Sequence, residues 1–217
     1  MIKTLPAITL LAALLSSPAG AVVVAQYTFT SGSFTSSDSD ANSAAGTITE
    51  TGFTSTNTTT NAPIPGSATR AITLDQIDDT FTTDHYYQFT ITPTSGTLNL
   101  GQLTFLYNTS AAGATNNSAY RLRYSDLSGP VGLFIDLGTT AYATGTTPLT
   151  GSFDLSSAAF DNLSSGITFR IDVIDSGSAS SGASVRIDNI IVDTVPEPGI
   201  ALLGVMGAFA LIHRRKR

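Results

Sequence analysis

Ala119-Tyr120-Arg121-Leu122-Arg123-Tyr124-Ser125-Asp126 alternates without a fault, with Tyr120, Leu122 and Tyr124 on one parity and Arg121, Arg123 and Ser125 on the other. Side chains of an extended strand point to opposite faces in turn, so this stretch predicts a strand with one face in a core and one in solvent. Residues 85–92 repeat the pattern, setting Tyr87, Phe89 and Ile91 against Tyr86, Gln88 and Thr90. Residues 97–107 change parity midway: Leu98 and Leu100 share one phase, and Leu103, Phe105 and Tyr107 share the other. A bulge near Gly101 and Gln102 returns all five to one side.

Working outward, further strands are predicted at 22–30, 46–50, 69–74, 131–137, 149–155, 166–174 and 184–193, with a helical turn at 156–163. The Ser/Thr/Asn-rich stretch 31–61 reads as a loose loop or an edge hairpin. The 217 residues include 25 Ser, 33 Thr and 19 Gly, a composition that suits pleated surfaces and tight turns. No helical stretch exists to make parallel crossovers. Eight to ten strands joined by Gly, Ser, Asn and Asp turns therefore predict one all-β domain over 22–194, an antiparallel sandwich of the jelly-roll type.

Charge is divided by position. Residues 22–194 carry fifteen carboxylates, fourteen Asp and Glu50, against five Arg and no Lys, a net of −10. Such a body repels phosphate backbones, so nucleic acid is not an expected partner. The absence of Cys excludes disulfides, thiol nucleophiles and Cys-ligated metals.

The two ends read as addresses. Residues 1–21 have a basic start at Lys3, an apolar stretch over 5–15 and small residues at Ala19-Gly20-Ala21, the order of a signal peptide cleaved after Ala21. Residues 195–217 begin with Val195-Pro196-Glu197-Pro198-Gly199, continue with an apolar run over 200–212, and end in His213, Arg214, Arg215, Lys216 and Arg217. The two prolines hold Glu197 extended. The run would span about 20 Å as a helix, against a hydrocarbon core of about 30 Å, and the closing cations would stay cytoplasmic as a stop to the anchor.

This order of motif, short apolar helix and basic tail resembles the PEP-CTERM sorting signal of Gram-negative, exopolysaccharide-producing bacteria. The resemblance implies processing by an exosortase, a membrane-embedded cysteine transpeptidase, with Pro196, Glu197 and Pro198 as the residues recognised. It also implies export to the cell envelope, the cell surface or the extracellular matrix, with the helix in the inner membrane before processing. The body is similar to galactose-binding or carbohydrate-module jelly rolls through FDLSSAAF at 153–160, Thr168-Phe169-Arg170, and Arg186-Ile187-Asp188-Asn189-Ile190.

Catalytic groups are sparse. The body holds one His, His85, in an alternating strand, and no G-x-S-x-G string accompanies it. Glycoside hydrolysis would need a pair of carboxylates about 5–10 Å apart, and Glu50 is the body's only Glu. Calcium would take carboxylate and carbonyl oxygens, for which Asp38 with Asp40, the run Asp75, Asp78 and Asp79, the pair Asp172 and Asp175, and Asp188 are candidates. Asp188 with Asn189 can equally tie a loop to the final strand. A glycan platform needs exposed aromatics; there is no Trp, most of the seven Tyr fall at apolar parity, and Tyr86 and Tyr142 are the exposed candidates. Arg121 and Arg123, on a polar face, can pair with carboxylates or with an acidic polymer. These readings favour a non-enzymatic structural or interaction protein of the envelope or matrix. The alternatives are a carbohydrate-binding module, with or without structural Ca²⁺, whose partner would be exopolysaccharide, and an Asp-based glycanase.

Overall fold

The computed structural model describes residues 20–29, 32–52, 56–59, 69–73, 85–109, 118–129, 132–175 and 184–195. The signal-peptide hydrophobic stretch, the Pro196-Glu197-Pro198 motif, the apolar run 200–212 and the basic tail lie outside them, as do Asp75, Asp78 and Asp79. Among the described residues no helix is long and apolar enough to cross a membrane. Val23–Thr194 form one compact unit.

That unit is an all-β, two-sheet antiparallel sandwich. Its described strands are β1 (Val23–Tyr27), β2 (Ser43–Ala45), β3 (Thr49–Thr51), β4 (Thr56–Thr59), β5 (Thr69–Thr73), β6 (Tyr86–Pro93), β7 (Leu100–Thr109), β8 (Ser118–Asp126), β9 (Ile135–Thr139), β10 (Leu149–Asp154), β11 (Ile167–Asp175) and β12 (Ser184–Thr194). The first sheet runs β10-β7-β12-β5-β4, with β1 also on β12; the second runs β2-β6-β11-β8-β9, with β3 also on β6.

Alternation fixes the core. Tyr87, Phe89 and Ile91 of β6, Tyr120, Leu122 and Tyr124 of β8, and Ile167, Phe169, Ile171 and Val173 of β11 are all buried. They meet the first sheet through rings: Tyr27 lies 5.1 Å from Phe89, and Tyr120 lies 5.4 Å from Phe105 and 5.3 Å from Tyr107, centroid to centroid. Buried tyrosines need partners for their hydroxyls. The Tyr27 hydroxyl donates to the Gly46 carbonyl, Tyr107 to Ala141 and Tyr120 to Arg186. Burial, reinforced by the charge of Asp38, pushes the Tyr27 phenol well above its ordinary pKa.

The parity change in β7 is a bulge at Gly101. Asp193 faces Gln102 but Thr194 faces Leu100, so one residue of β7 is extra. Leu98, Leu100, Leu103, Phe105 and Tyr107 are consequently all buried. The short turn predicted at 156–163 is a 3-10 turn at Ala158–Phe160 that buries Phe160.

Three expectations change. The described strands number twelve, more than the eight to ten predicted, because the hydroxyl-rich stretch contributes β2, β3 and β4. Each is three or four residues long, at or near a sheet edge, and has too little apolar contrast to show a period. Of the predicted strand 46–50 only Thr49 and Glu50 fall in a strand, β3: Gly46 prolongs the β2 pairing through its N–H to Thr90, and Ile48 then drops into the core. The strand expected at 131–137 starts only at Ile135, because Gly132 takes a positive φ of 85° and turns the chain. Phe134 is thereby left ahead of the edge strand.

Gly151 of β10 has no room for a side chain: a Cβ there would lie 2.8 Å from two ring carbons of Phe105 and 3.1 Å from Thr140 Cγ2. Phe105 is packed on Phe153, Tyr107 and Tyr120 and cannot swing away. Gly151→Ala is expected to destabilise the sandwich by about 1–3 kcal/mol, and Gly145→Ala, with open space around its Cβ, by less than about 0.5 kcal/mol. Urea unfolding of both variants checks the difference.

Candidate functional site

The outer face of the second sheet is ordered by register into cross-strand rows. One row carries Tyr86 of β6, Asp172 of β11 and Arg121 of β8. The next carries Gln88, Arg170 and Arg123, and continues to Asp136 of β9. The third carries Thr90, Thr168 and Ser125. Three of the body's five arginines thus sit on one face of an acidic domain.

Asp172 anchors this face. Its carboxylate has no solvent exposure; Arg121 approaches Oδ2 at 2.8 Å through both Nε and Nη2, and Arg123 Nη2 approaches Oδ1 at 2.6 Å. Asp136 stands farther off, 3.9 Å from Arg121 and 4.0 Å from Arg123, with 59% of its side chain exposed. Asp172 is therefore engaged in an ion-paired triad with Arg121 and Arg123.

Arg170 is arranged differently. Its guanidinium carbon lies 3.8 Å from the Tyr86 ring centroid and 3.9 Å from that of Phe134. The rings come from opposite sides, one from β6 and one from the segment before β9, so the cation is held between them. Its Nε and Nη2 both donate to Gln88 Oε1, at 3.2 and 2.8 Å. Burial lowers its pKa from the usual arginine value; Tyr86 opposes that, Arg123 directly across the strand pair adds to it, and the charge of Asp172 opposes it again. The salt bridges among the described residues include none to Arg170.

Beside Arg170 runs a groove of about 270 Å³, lined by Gln88, Ser125, Asp126, Leu127, Gly129, Gly132, Phe134, Thr168 and Arg170. Thr168 and Ser125 form a buried floor, with the Thr168 hydroxyl 2.8 Å from that of Thr90. Phe134 and Leu127 provide apolar wall, and Leu133 and Ile135 beside them are about half exposed. Gly166, with φ of 88°, supports Leu127 from beneath: a Cβ there would lie 3.2 Å from Leu127 Cδ1 and 2.8 Å from the Ile91 carbonyl oxygen. Asp126 accepts from both the amide and the hydroxyl of Ser128, which lowers its pKa, and it is the one carboxylate among the lining residues.

Of the residues singled out from the sequence, Tyr86, Arg121 and Arg123 come together on this face. Tyr142 is exposed but lies apart, in the segment that returns to the first residues of β8 through the Thr140 N–H to Tyr120 carbonyl bond; the groove is at the other end of that strand. Asp38 and Asp40 sit between β1 and β2, where Asp38 Oδ1 caps the Asp40 amide and Asp40 Oδ1 the Asn42 amide. Asp188 is fully buried within β12, its Oδ1 accepting from the Asn189 N–H at 2.6 Å where Asn189, at φ 50°, makes a bulge. Among the described residues no three His, Cys, Asp or Glu side chains gather in one place. Gln88, Arg170, Phe134 and Thr168 were not singled out as a site. Polar parity was the available signal for Gln88, Thr168 and Arg170; Phe134 had none.

No family model matches this sequence, and no curated protein matches it. Several solved structures are distantly similar. The adhesin domain K3 of Lys-gingipain from Porphyromonas gingivalis is 15% identical over 80% of this chain and 100% of its own, with a TM-score of 0.43. The xylan-binding module of family 15 is 13% identical over 82% and 99%, with a TM-score of 0.47. A xylan-binding domain from family 22 is 12% identical over 81% and 96%, with a TM-score of 0.43.

The clamp has unequal consequences. Asp172→Ala leaves two arginines facing each other over a vacated partner and is expected to cost about 3–5 kcal/mol. Asp136→Ala, exposed and nearly 4 Å away, is expected to cost less than about 1 kcal/mol. Chemical denaturation at neutral pH measures both.

Proposed function

We propose that this chain is an exported envelope or matrix protein whose jelly-roll-like sandwich binds polysaccharide along the outer face of its second sheet. The observation that carries the reading is the groove beside Arg170. It combines apolar wall from Phe134 and Leu127 with hydrogen-bonding groups from Gln88, Thr168, Ser125 and Asp126. A sugar ring is amphipathic in the same way, with C–H faces and a rim of hydroxyls. The groove's 270 Å³ lies just under the range of about 300–1,000 Å³ usual for enclosed small-molecule sites, which suits one or two rings of a chain lying across the sheet.

The groups in the groove bind and orient. A glycanase would need a second carboxylate opposite Asp126, and the described lining offers none. Export rests on the signal-peptide pattern of residues 1–21, and sorting rests on the PEP-CTERM resemblance of 195–217. In that reading exosortase recognises Pro196, Glu197 and Pro198, the 200–212 helix holds the precursor in the inner membrane, and exopolysaccharide is the partner outside. Only Val195 stands between the last sandwich strand and Pro196, so cleavage there would release or attach the folded module with almost no tether.

Affinity electrophoresis of the purified protein against a panel of soluble polysaccharides, with and without calcium, tests the binding reading. Retardation by at least one polymer is expected. Tyr86→Ala should weaken it roughly tenfold, about 1.4 kcal/mol, while Tyr142→Ala leaves it unchanged. A natively folded protein that no polysaccharide retards would overturn the reading.

A further inference from the structure

We propose that the groove selects an acidic sugar, with Arg170 receiving the carboxylate of a hexuronate residue; this rests on the polysaccharide reading above and names its ligand class. The starting observation is an imbalance. Arg121 and Arg123 share the sealed Asp172 and lean toward Asp136. Arg170, two residues from Asp172 on the same strand, has aromatic rings on its two faces and a neutral amide at its edge.

A guanidinium carries five N–H donors in one plane. Gln88 Oε1 takes Nε–H and one N–H of Nη2, leaving three donors. Tyr86 and Phe134 hold the plane fixed, so these donors are pre-oriented and little side-chain freedom is lost when they are used. Planar donor pairs of this kind match a carboxylate in a two-point contact. Arg170 also lines the groove, so an acid held there would have its ring beside Phe134, Thr168 and Ser125.

The groove is polarised along its length. Asp126 stands at the far end of β8, three residues beyond Arg123, about 10 Å from the Arg170 row at the usual strand rise. With both oxygens bonded to Ser128, it can still accept from sugar hydroxyls but would repel an acid. A hexuronate residue oriented with its carboxylate on Arg170 and its hydroxyls toward Asp126 satisfies both ends. The two other carboxylates of this face, Asp172 and Asp136, are offset by the guanidiniums of Arg121 and Arg123 beside them, and exposed carboxylates farther away are screened at physiological ionic strength over about 8 Å.

The test compares oligogalacturonate, oligomannuronate and glucuronoxylan fragments with their carboxyl-reduced or methyl-esterified counterparts by calorimetry on the intact protein, with dextran sulfate as a polyanion lacking carboxylates. At least one acidic oligosaccharide should bind tenfold or more tightly than its neutral counterpart and than dextran sulfate. Arg170→Gln should abolish that preference, so that acid and ester bind alike, and Arg170→Lys should restore only part of it. The comparison of ligands needs no variant and stands even if Arg170→Gln unfolds. Equal binding of acid and neutral forms, or equally tight binding of dextran sulfate, would overturn the inference while leaving the polysaccharide reading intact. Binding of no glycan, acidic or neutral, would remove both.

Discussion

A carboxylate sealed from solvent is tolerated only where cations and donors surround it, since desolvation alone would cost several kcal/mol. Asp172 meets that condition through Arg121 and Arg123, which reach it from the neighbouring strand β8 along adjacent pleats. The triad fixes the charge pattern of the whole outer face. It occupies two of the three arginines, it pins β8 to β11 on the side away from the core, and it leaves Arg170 facing Arg123 across the strand pair. The rings of Tyr86 and Phe134 hold Arg170 stacked beside the groove, with Gln88 at its edge.

Much of this was legible as parity. The alternation in 119–126 and 85–92 placed twelve side chains on their correct faces, and the phase change between Leu100 and Leu103 located a bulge that the register puts at Gly101. The same rule placed Tyr86, Arg121 and Arg123 on a polar face. What parity cannot supply is which strands lie side by side. Asp172 read as half of a carboxylate pair with Asp175, because both lie on one short segment; only the pairing of β11 with β8 shows the arginines opposite. Phe134 was hidden for another reason. It reads as a strand residue until Gly132 turns the chain, and then serves as a ring laid over Arg170 from outside the sheet.

The hydroxyl-rich stretch 31–61 was obscure because Thr, Ser and Ala offer no contrast between faces. Its described strands, β2, β3 and β4, sit on β6 and β5 as short lengths, and β3 brings Thr49 beside Gln88 and Thr51 beside Tyr86. Short, polar strands at or near an edge limit further strand addition. Through Thr49 and Thr51, β3 also extends the outer face of the second sheet with hydroxyls beyond the arginine rows. The polar part of the site, Gln88, Arg170, Thr168 and Ser125, is carried by central strands, where backbone hydrogen bonds on both sides hold β6, β11 and β8 in fixed register, and rigid placement of this kind lowers the entropic cost of binding.

The central proposal is that polysaccharide binds on the outer face of the second sheet. Titration of isotopically labelled protein with a retained oligosaccharide, followed by amide and arginine Nε chemical shifts, tests it most directly. Perturbations should concentrate on Gln88, Ser125, Thr168 and the Arg170 Nε–H, while Gln102 and Ser152, hydrogen-bonded to each other on the exposed side of the first sheet, stay still. Shifts centred on Gln102 and Ser152, or on the segment around Tyr142, with the Arg170 row silent would contradict it.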